Sequence, residues 1–524
     1  MAARSMNLKE TYWKDIKITE ADLETIYNHL LEIETPQSIS ELGNFLIRNK
    51  ISQESKKLEK ARASAGDVYL PQNQYSVGQK LVFPMREMQK GTVSATRDGY
   101  NPDYAELKVI EVDLGNGEKV EFASNIADHK LNDLTLYENK DPNLDVNEVV
   151  KNYGFSFASK LDELLKSSED LVCIAGNYFP RSLLVDIGAG HLNLAEAVLE
   201  MENGGPLSSP ELIKQIELPT NVNSRLTEFS FNLAMQEDGR FDEVGPAGVT
   251  LWFLRSLEPE EVQKCPKFLK YSPEKDTAGA ESIEFPLQLD ICDELENDCT
   301  TNDDQSVTLS LLYPHLRAGT LPLTMKLKNL FPTAYETPRI KFDFVDGKTK
   351  SKFPGWVVRP DHYIYGLSEW YKQQGIIAGS LIRVTRGQNP GEVIIEPENQ
   401  HNSREWIRTL LVGADGGIVF ATLKQLVTCT FDERMIIMTP EFSALDPIWE
   451  KYNKQAYPLE KIALAFMRDL AKLNPQGHVH AQELYSAVNV VKRCPPKVIL
   501  QILFSKPWSS HLGDLYFRLD ESKV

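Results

Sequence analysis

The stretch VDIGAGHLNLAEAVLEMENGGPLSSPELI, from Val185 to Ile213, supports two incompatible structural predictions. Its first half is typical of a strand that runs into a glycine-rich turn around a nucleotide. Its second half is typical of two consecutive helices, the second of which begins at a serine followed by Pro–Glu. The first prediction leads to an enzyme and the second to a binding protein, so the remainder of the chain has to decide between them.

Composition limits the classes of protein to which the chain can belong. With 524 residues, 42% of them hydrophobic, it is too long for one core, and about three to five domains are expected. No apolar stretch reaches the roughly 18–20 residues of a membrane span, and the N-terminus has no apolar signal-peptide region. Six cysteines without a C-x-x-C pair favour a reducing compartment and argue against a zinc ribbon or a disulfide framework. We therefore expect a cytoplasmic protein, compatible with association with the nucleoid, that does not enter a membrane and holds no metal.

The distribution of charge is more informative than its sum. The net charge of −18, from 57 basic and 75 acidic residues, argues at first against nucleic acid as a partner, because phosphate contacts are made mostly by Lys and Arg. Between Asp290 and Ser306, however, seven acidic residues occur without a base, and this predicts a solvated, flexible linker over residues 285–310. From Lys326 to Arg408, thirteen basic residues stand against nine acidic ones. An acidic total can therefore conceal basic faces.

The pattern of helices and strands divides the chain into segments. Residues 1–64 predict a helix-turn-helix-like domain, with Thr19 and Ser40 as the N-caps of its helices. Residues 65–132 contain four short β-rich runs, the last two joined by Gly-Asn-Gly, and predict an SH3-like barrel. The remaining segments are mostly helical residues 147–260, a strand-rich region over residues 320–445 and a helical block over residues 455–524. We therefore expect a multi-domain α+β protein.

An internal repeat decides the prediction for the opening stretch. FDEVGPAGVTLWFL, beginning at Phe241, and WSSHLGDLYFRL, beginning at Trp508, each contain a bulky aromatic residue, an apolar–glycine step and a strand that ends in an aromatic pair. Each follows an amphipathic helix, and upstream of each lies a helix that begins near a Gly–His pair. Two copies of helix, helix, helix and β-wing predict two winged-helix domains related by duplication. Four apolar residues of the opening stretch then face the core of the first copy: Leu192, Ala195, Val198 and Leu199.

The first of these copies resembles a known family. AEAVLEMENGGPLSSPELI followed by FDEVGPAGVTLW is similar to the HARE-type helix-turn-helix (HARE-HTH), a winged helix found in chromatin regulators, restriction endonucleases and the acidic delta subunit of bacterial RNA polymerase. The matching positions are Ala195, Leu199, Gly205, Pro206, Glu211, Leu212, Phe241, Gly245, Leu251 and Trp252. The resemblance implies association with DNA or with the transcription machinery.

The enzyme alternative resembles the first motif of class I methyltransferases. In LLVDIGAG, a strand and a Gly-rich turn would let the backbone approach S-adenosylmethionine. That motif usually has a third glycine where this chain has Leu192, and it needs a second strand that ends in an acidic residue about twenty residues on. ENGGPLSSPELIKQIELP contains no such strand. We therefore expect no nucleotide cofactor at Asp186–Gly190, and an S-adenosylmethionine-dependent methyltransferase is kept as an alternative.

The strand-rich region resembles the pseudobarrel of plant transcription factors and of restriction-enzyme effector domains, in which basic strand ends and loops enter the major groove. The resemblance is carried by strands followed by GLSEWYKQQGIIAGSLIRVTRGQNPGEVII. It implies seven candidate DNA-binding residues: Arg339, Lys341, Lys348, Lys350, Lys352, Arg383 and Arg386. The alternative is that these residues form a solvated barrel surface. Trp356 and Trp370 are expected in the core.

Charge distinguishes the two predicted winged helices. The third helix of the middle copy has Arg225 as its internal base, opposed by three acidic residues, and such a face suits a protein partner. The corresponding stretch of the C-terminal copy offers four bases and no acid: Lys492, Arg493, Lys497 and Lys506. Its helix start at Pro495–Pro496 adds backbone N–H groups and the positive end of a helix dipole, both suited to a phosphate. The sequence therefore predicts DNA contact at the C-terminal copy, with a solvated surface as the alternative.

Two further motifs are explained by structure alone. His478 and His480 form an H-x-H pair without a nearby Cys or carboxylate cluster, which is typical of a helix start rather than a metal site. DFVDGKTK has the acid–acid–Lys composition of a nuclease core, but turn formation at Asp346–Gly347 explains it better. The sequence thus favours a non-enzymatic, cofactor-free protein that binds duplex DNA and acts in transcription or defence. The transcription machinery or other proteins are further expected partners. A protein–protein scaffold without DNA contact is the second prediction.

Overall fold

The computed structural model describes residues 8, 11–63, 67–86, 89–101, 103–104, 106–115, 117–132, 142–218, 223–273, 293–296, 304–334, 337–413, 416–439, 442–454 and 457–524. These residues form fourteen α-helices and several β-sheets, which confirms the mixed helical and β character predicted from the sequence. The chain divides into two compact units. The first contains residues 1–186 and 220–230, and the second contains residues 187–219 and 231–524.

The first unit contains a helical part that closes on a small sheet. Its elements are α1 (Tyr12–Asp15), α2 (Glu20–Ile33), β1 (Gln37–Ser38), α3 (Ile39–Ala63), α4 (Val146–Lys166), β7 (Leu171–Ile174) and β8 (Asn177–Pro180). The three strands pair in the order β1-β8-β7, with Gln37 opposite Tyr178. Thr19 caps α2 as predicted, through a capping box with Asp22. The prediction of Ser40 as the cap of the next helix is wrong, because α3 begins at Ile39 and the preceding Ser38 makes the capping hydrogen bonds.

A five-stranded sheet lies between α3 and α4 in the chain. Its strands are β2 (Asp67–Val68), β3 (Lys80–Phe83), β4 (Gln89–Asp98), β5 (Lys108–Asp113) and β6 (Lys119–Ser124). They pair in sequence order, which confirms the four predicted β-rich runs. The interior of the sheet is formed by alternating apolar residues, among them Leu81, Val93, Ile110 and Val112. The sequence assigned residues 1–64 and 147–260 to separate domains, whereas β1 and β8 belong to one sheet and the five-stranded sheet is inserted between them.

The second unit begins with the stretch quoted at the outset. Its first elements are α5 (Ala189–Met201), β9 (Leu207–Ser208), α6 (Ser209–Gln215), the second half of α7 (Ser224–Glu237), β10 (Phe241–Glu243), β11 (Leu251–Leu254) and α8 (Glu260–Gln263). Residues 184–188 form no strand, and Gly188 is the N-cap of α5. The four apolar residues of α5 that were predicted to face the core are buried. The strands pair in the order β9-β11-β10.

A curled, seven-stranded sheet shaped like half a barrel follows. Its region contains β12 (Ser306–Ser310), α9 (Tyr313–Ala318), β13 (Thr320–Pro322), β14 (Arg339–Asp346), β15 (Lys352–Val358), β16 (Tyr363–Tyr365), α10 (Ser368–Gln374), β17 (Leu381–Arg386) and β18 (Glu392–Pro397). The order is β12-β17-β18-β14-β15-β16-β13, and β14 runs parallel to β18 while the other pairs are antiparallel. Trp356 and Trp370 are buried, as predicted.

The chain ends in a two-stranded ribbon and a second helical region. These contain β19 (Ser403–Val412), β20 (Ile418–Val427), α11 (Phe442–Lys454), α12 (Leu459–Leu473), β21 (His478–His480), α13 (Ala481–Asn489), α14 (Pro496–Ser505), β22 (Ser509–Gly513) and β23 (Tyr516–Leu519). The last three strands pair in the order β21-β23-β22. His480 is the N-cap of α13 and its ring accepts a hydrogen bond from the Gln482 N–H, which gives the H-x-H motif a structural role.

One arrangement occurs three times in the described part of the chain. In each case the order is helix, strand, helix, helix, strand, strand, and the third strand pairs with both the first and the second. The copies are α2 to β8, α5 to β11, and α12 to β23, and we call them the first, second and third helical units. The sequence predicted the second and third. It missed the first because the five-stranded sheet separates the second helix of that copy from its third.

Candidate nucleic-acid interface

Arg493, predicted to contact DNA, is in fact part of a buried ionic cluster. Its guanidinium donates to Asp293 at 2.5 Å, to Glu294 at 2.7 Å and to Asn489 at 3.0 Å. The side chain of Arg493 is fully buried. Burial acts to raise the pKa of the Glu294 carboxyl, but the neighbouring Arg493 and His315 outweigh it and hold this pKa below its ordinary value. The prediction that Arg493 contacts a phosphate is therefore wrong.

The other bases of the C-terminal copy do not form an open cationic face either. Lys492 is buried, and its ammonium donates to the carbonyl oxygen of Tyr457 at 2.7 Å. Lys506 pairs with Glu460 at 2.7 Å. Lys497 is half-buried, and its backbone N–H, at the start of α14, donates to the Glu296 carboxylate at 2.7 Å.

The acidic segment thus fills the place that the sequence assigned to a phosphate. Asp293 and Glu294 neutralise Arg493, and Glu296 accepts a hydrogen bond at the N-terminus of α14. The prediction of a solvated, flexible linker is wrong for Asp293 and Glu294, which are buried. It is also wrong at its end, because Ser306–Ser310 form strand β12 of the curled sheet. Residues 285–292 and 297–303 of the predicted linker lie outside the described residues.

The hairpin turn between β14 and β15 presents basic residues on a fixed backbone. We call residues 347–351 the lysine turn. The preceding Asp346 is buried, and its Oδ1 accepts hydrogen bonds from the backbone N–H of Lys348 at 2.9 Å and of Thr349 at 2.7 Å. Its Oδ2 accepts from Trp370 Nε1 at 2.7 Å and from Gln374 Nε2 at 3.2 Å. Burial acts to raise the pKa of Asp346, but these donors, beginning with Thr349, lower it below its ordinary value.

Two lysines of this turn are available for an anionic ligand. Lys348 and Lys350 are exposed, and Lys348 donates to the Gln400 side chain at 3.1 Å. Within the described residues neither lysine forms an ion pair. Lys352, at the start of β15, pairs with Glu392 and is therefore neutralised. The turn thus offers two positive charges that form no ion pair within the described residues.

The other basic candidates of the curled sheet are mostly paired. Arg383 contacts Glu398 and, at 3.4 Å, Glu396. Arg339 pairs with Asp242 at 2.5 Å. These contacts show why counting bases along the chain overestimated the positive surface of this region.

Lys341 and Arg386 differ in what surrounds them. The Lys341 ammonium lies 4.4 Å from the ring centre of Phe253 and is half-buried, so it is not presented to a ligand. Arg386 is exposed and donates to the carbonyl oxygen of Asn329. It lines an open cleft of about 670 Å³ between the segment 329–333 and the loop 387–391. Of the predicted candidates, Lys348, Lys350 and Arg386 therefore remain as exposed bases whose described contacts include no carboxylate.

Neither known proteins nor recognisable sites of other kinds indicate a function for this chain. No family model, curated protein or solved structure matches this chain. Within the described ranges, no group of three His, Cys, Asp or Glu side chains is arranged to hold a metal ion. The helices in the described part of the chain are all too short or too polar to cross a membrane.

Proposed function

We propose that the chain is a non-enzymatic, DNA-associated binding protein that contacts the phosphates of duplex DNA through the lysine turn. The observation that carries this proposal is the pair of exposed, unneutralised lysines, Lys348 and Lys350, on a turn whose backbone is fixed by the buried Asp346. Lysine ammonium groups bind phosphate as point charges, and a fixed backbone lowers the conformational entropy lost on binding.

The architecture supports the same proposal at the level of fold. We assign the three helical units as winged helices, the curled sheet as a pseudobarrel and the five-stranded sheet as an SH3-like barrel. Winged helices bind either DNA or proteins, so this assignment by itself does not identify the ligand. The proposed role in transcription or defence rests on the resemblance of the second helical unit to the HARE-type helix-turn-helix.

The third helices of the helical units differ in how far they are exposed to solvent. In the third helical unit, α14 is mostly buried, which removes it from the proposed interface. In the first helical unit, α4 exposes a stripe that contains Lys151, Asn152 and Phe155, with Phe155 89% exposed. A polar and aromatic stripe on the third helix is the surface that a winged helix uses toward a partner, so α4 is the helix we assign to this role.

The test is duplex binding by fluorescence anisotropy over a salt series, using the full chain. Replacing Lys348 and Lys350 together by Gln is expected to weaken binding and to reduce the slope of log K against log salt by about two, because each neutralised phosphate contributes about 0.9. The matched control is Lys451→Gln with Lys461→Gln, which removes the same charge from exposed helical positions. An unchanged slope in the lysine-turn variant would contradict the proposal.

Two alternatives give different results in related experiments. If the wild-type chain fails to bind duplex DNA at low salt, the protein–protein scaffold is favoured. Calorimetry with S-adenosylmethionine tests the methyltransferase alternative. Micromolar binding that is lost in Asp186→Ala would favour that enzyme over the proposed function.

A further inference from the structure

The outer face of the ribbon formed by β19 and β20 carries an exposed tryptophan. Six of the seven tryptophans of the chain are at most 4% exposed, whereas Trp406, in β19, is 68% exposed. Leu426, on the neighbouring strand, is 56% exposed. A large aromatic ring beside a second exposed apolar side chain is an interaction surface rather than an isolated surface residue.

The strand register places these residues on one face. Trp406 is directly opposite Lys424, and Arg404 is directly opposite Leu426. Directly opposed residues share a face, and alternate residues along a strand return to it, so the four side chains form one patch. We call this patch the ribbon face. Ile407, at a position of the opposite face, is 2% exposed, so that side of the ribbon is fixed to the core.

The ribbon face is positively charged. Arg404 and Lys424 are exposed and, within the described residues, form no ion pair. The next residue of this face, Arg408, is held by Glu483 at 2.8 Å and by the backbone carbonyls of Arg434 and Ile436, so it fixes the ribbon rather than adding free charge. On this face, residues 404, 406 and 408 of β19 lie opposite residues 426, 424 and 422 of β20. None of these six residues has a carboxylate.

We infer that the ribbon face binds an unpaired nucleic-acid strand, with a base stacked on Trp406 and phosphates contacting Arg404 and Lys424. An exposed aromatic ring between cations is the combination that binds single strands, because each base offers a flat face and each linkage a negative charge. A base-paired duplex does not offer such a face, since its bases are stacked on one another. A second copy of the chain docked through the same patch would place like charges against each other.

This inference goes beyond the proposed function and uses different residues. Duplex binding was assigned to Lys348 and Lys350, whereas strand binding is assigned to Arg404, Trp406 and Lys424. The two can fail separately. The Lys348→Gln, Lys350→Gln variant is expected to keep its affinity for a single strand if the ribbon face acts as inferred.

The experiment measures binding of a fluorescein-labelled oligothymidylate to the full chain by anisotropy. Trp406→Thr, which keeps a β-branched residue in the strand, is expected to bind about tenfold more weakly or worse, because it loses the stacked ring. Trp406→Phe is expected to bind nearly as well as wild type. Lys424→Gln is expected to reduce the salt slope by about 0.7, the contribution of one phosphate of a single strand. Lys461→Gln is the matched control and is expected to leave the slope unchanged.

Three results would overturn the inference. The inference is wrong if the wild-type chain does not bind oligothymidylate. It is also wrong if Trp406→Thr binds as tightly as wild type. If Trp406→Thr were misfolded, which far-UV circular dichroism reports, the folded Trp406→Phe and Lys424→Gln variants would still decide. Concentration-dependent dimerisation in sedimentation velocity that is lost in Trp406→Thr would show that a second copy, and not a nucleic acid, occupies the face.

Discussion

Arg493 is the cation that joins the acidic segment to the third helical unit. Its guanidinium lies between Asp293 and Glu294, and the Tyr485 hydroxyl donates to the other oxygen of Asp293. All of these side chains are buried. Breaking a buried ion pair from one side leaves an uncompensated charge, which is more destabilising than replacing the whole cluster by neutral groups.

We therefore expect Arg493→Met to lower the free energy of unfolding by about 3–5 kcal/mol, measured by urea denaturation. The triple variant Arg493→Met, Asp293→Asn, Glu294→Gln is expected to recover part of this loss, because no unpaired charge remains in the interior. A single variant as stable as wild type, or a triple variant less stable than the single one, would show that the cluster is not held by its charges.

Glu258 presents the opposite situation, a buried carboxyl with little compensation. Its side chain is fully buried, Arg339 approaches it at 3.6 Å, and neither of its oxygens has a hydrogen-bond partner within the described residues. Burial, with Asp242 nearby, raises the pKa of Glu258 to about 8. Burial likewise raises the pKa of Glu243 to about 7.

These pKa values predict a loss of stability with rising pH. The folded chain keeps protons on Glu258 and Glu243 that the unfolded chain releases above its ordinary Glu pKa, so the free energy of unfolding falls as pH rises from about 4.5 to about 8. Glu258→Gln is expected to reduce this fall, which urea denaturation at a series of pH values measures. Glu260→Gln, at a side chain that is 81% exposed, is the control. Identical pH dependence in Glu258→Gln and wild type would refute the assignment.

At the scale of the element, the lysine turn depends on one carboxylate. Asp346→Ala removes the acceptor of Trp370 Nε1 and of the turn N–H groups. Leaving these donors unpaired is expected to cost about 1–3 kcal/mol of stability.

The same substitution distinguishes positioning from charge. If only charge mattered, removing the negative Asp346 would strengthen duplex binding, because its repulsion of the phosphates would be lost. If the fixed backbone matters, its loss weakens binding. We expect weaker binding of Asp346→Ala in the anisotropy assay and partial recovery in Asp346→Asn, which retains one acceptor oxygen for the turn. Tighter binding by Asp346→Ala would show that the backbone of the turn does not matter.

Local signals predicted individual elements well. The cap at Thr19, the turn at Asp346–Gly347 and the start of α14 at Pro496 each follow from a few neighbouring residues. What covers an element is not a local property. The N-terminus of α14 is covered by Glu296, 201 residues away in the chain, and no pattern within the helix indicates this contact. The DNA contact predicted at α14 was misplaced for this reason, whereas Lys348 and Lys350 of the curled sheet were among the predicted residues. Trp406 went unnoticed because exposure of a strand face depends on which side packs.

At the scale of the whole molecule, the third helical unit shares its core with the ribbon and with helix α9 of the curled-sheet region. Phe420 of β20 contacts Phe466 of α12 with ring centres 5.1 Å apart, and Tyr313 and Leu410 belong to the same buried cluster. The sequence treated residues 455–524 as a separate domain, since a run of amphipathic helices does not reveal whether its apolar face is covered by itself or by another part of the chain.

A chain that ends at Lys454 is therefore expected to expose this core. We expect it to aggregate or to bind the dye ANS strongly, measured by size-exclusion chromatography and fluorescence. A chain that ends at Asp520, which removes four exposed residues, is the control and is expected to behave like the full chain in both measurements. A monomeric, cooperatively unfolding chain ending at Lys454 would show that the two parts fold separately.

The inserted five-stranded sheet has a consequence for the order of folding during synthesis. β1 pairs with β8 through Gln37 and Tyr178, which are 178 − 37 = 141 residues apart. At translation rates of about 5–20 residues per second, the ribosome needs about 7–28 s to make the partner of a strand that has already emerged. The inserted sheet, built from neighbouring strands, completes itself within that interval, while the faces of α2 and α3 that contact β8 and α4 in the complete chain remain uncovered. Nascent chains interrupted before Tyr178 thus carry a finished sheet beside an unfinished helix pair. The uncovered faces of α2 and α3 are then the surface to which a holding chaperone would bind.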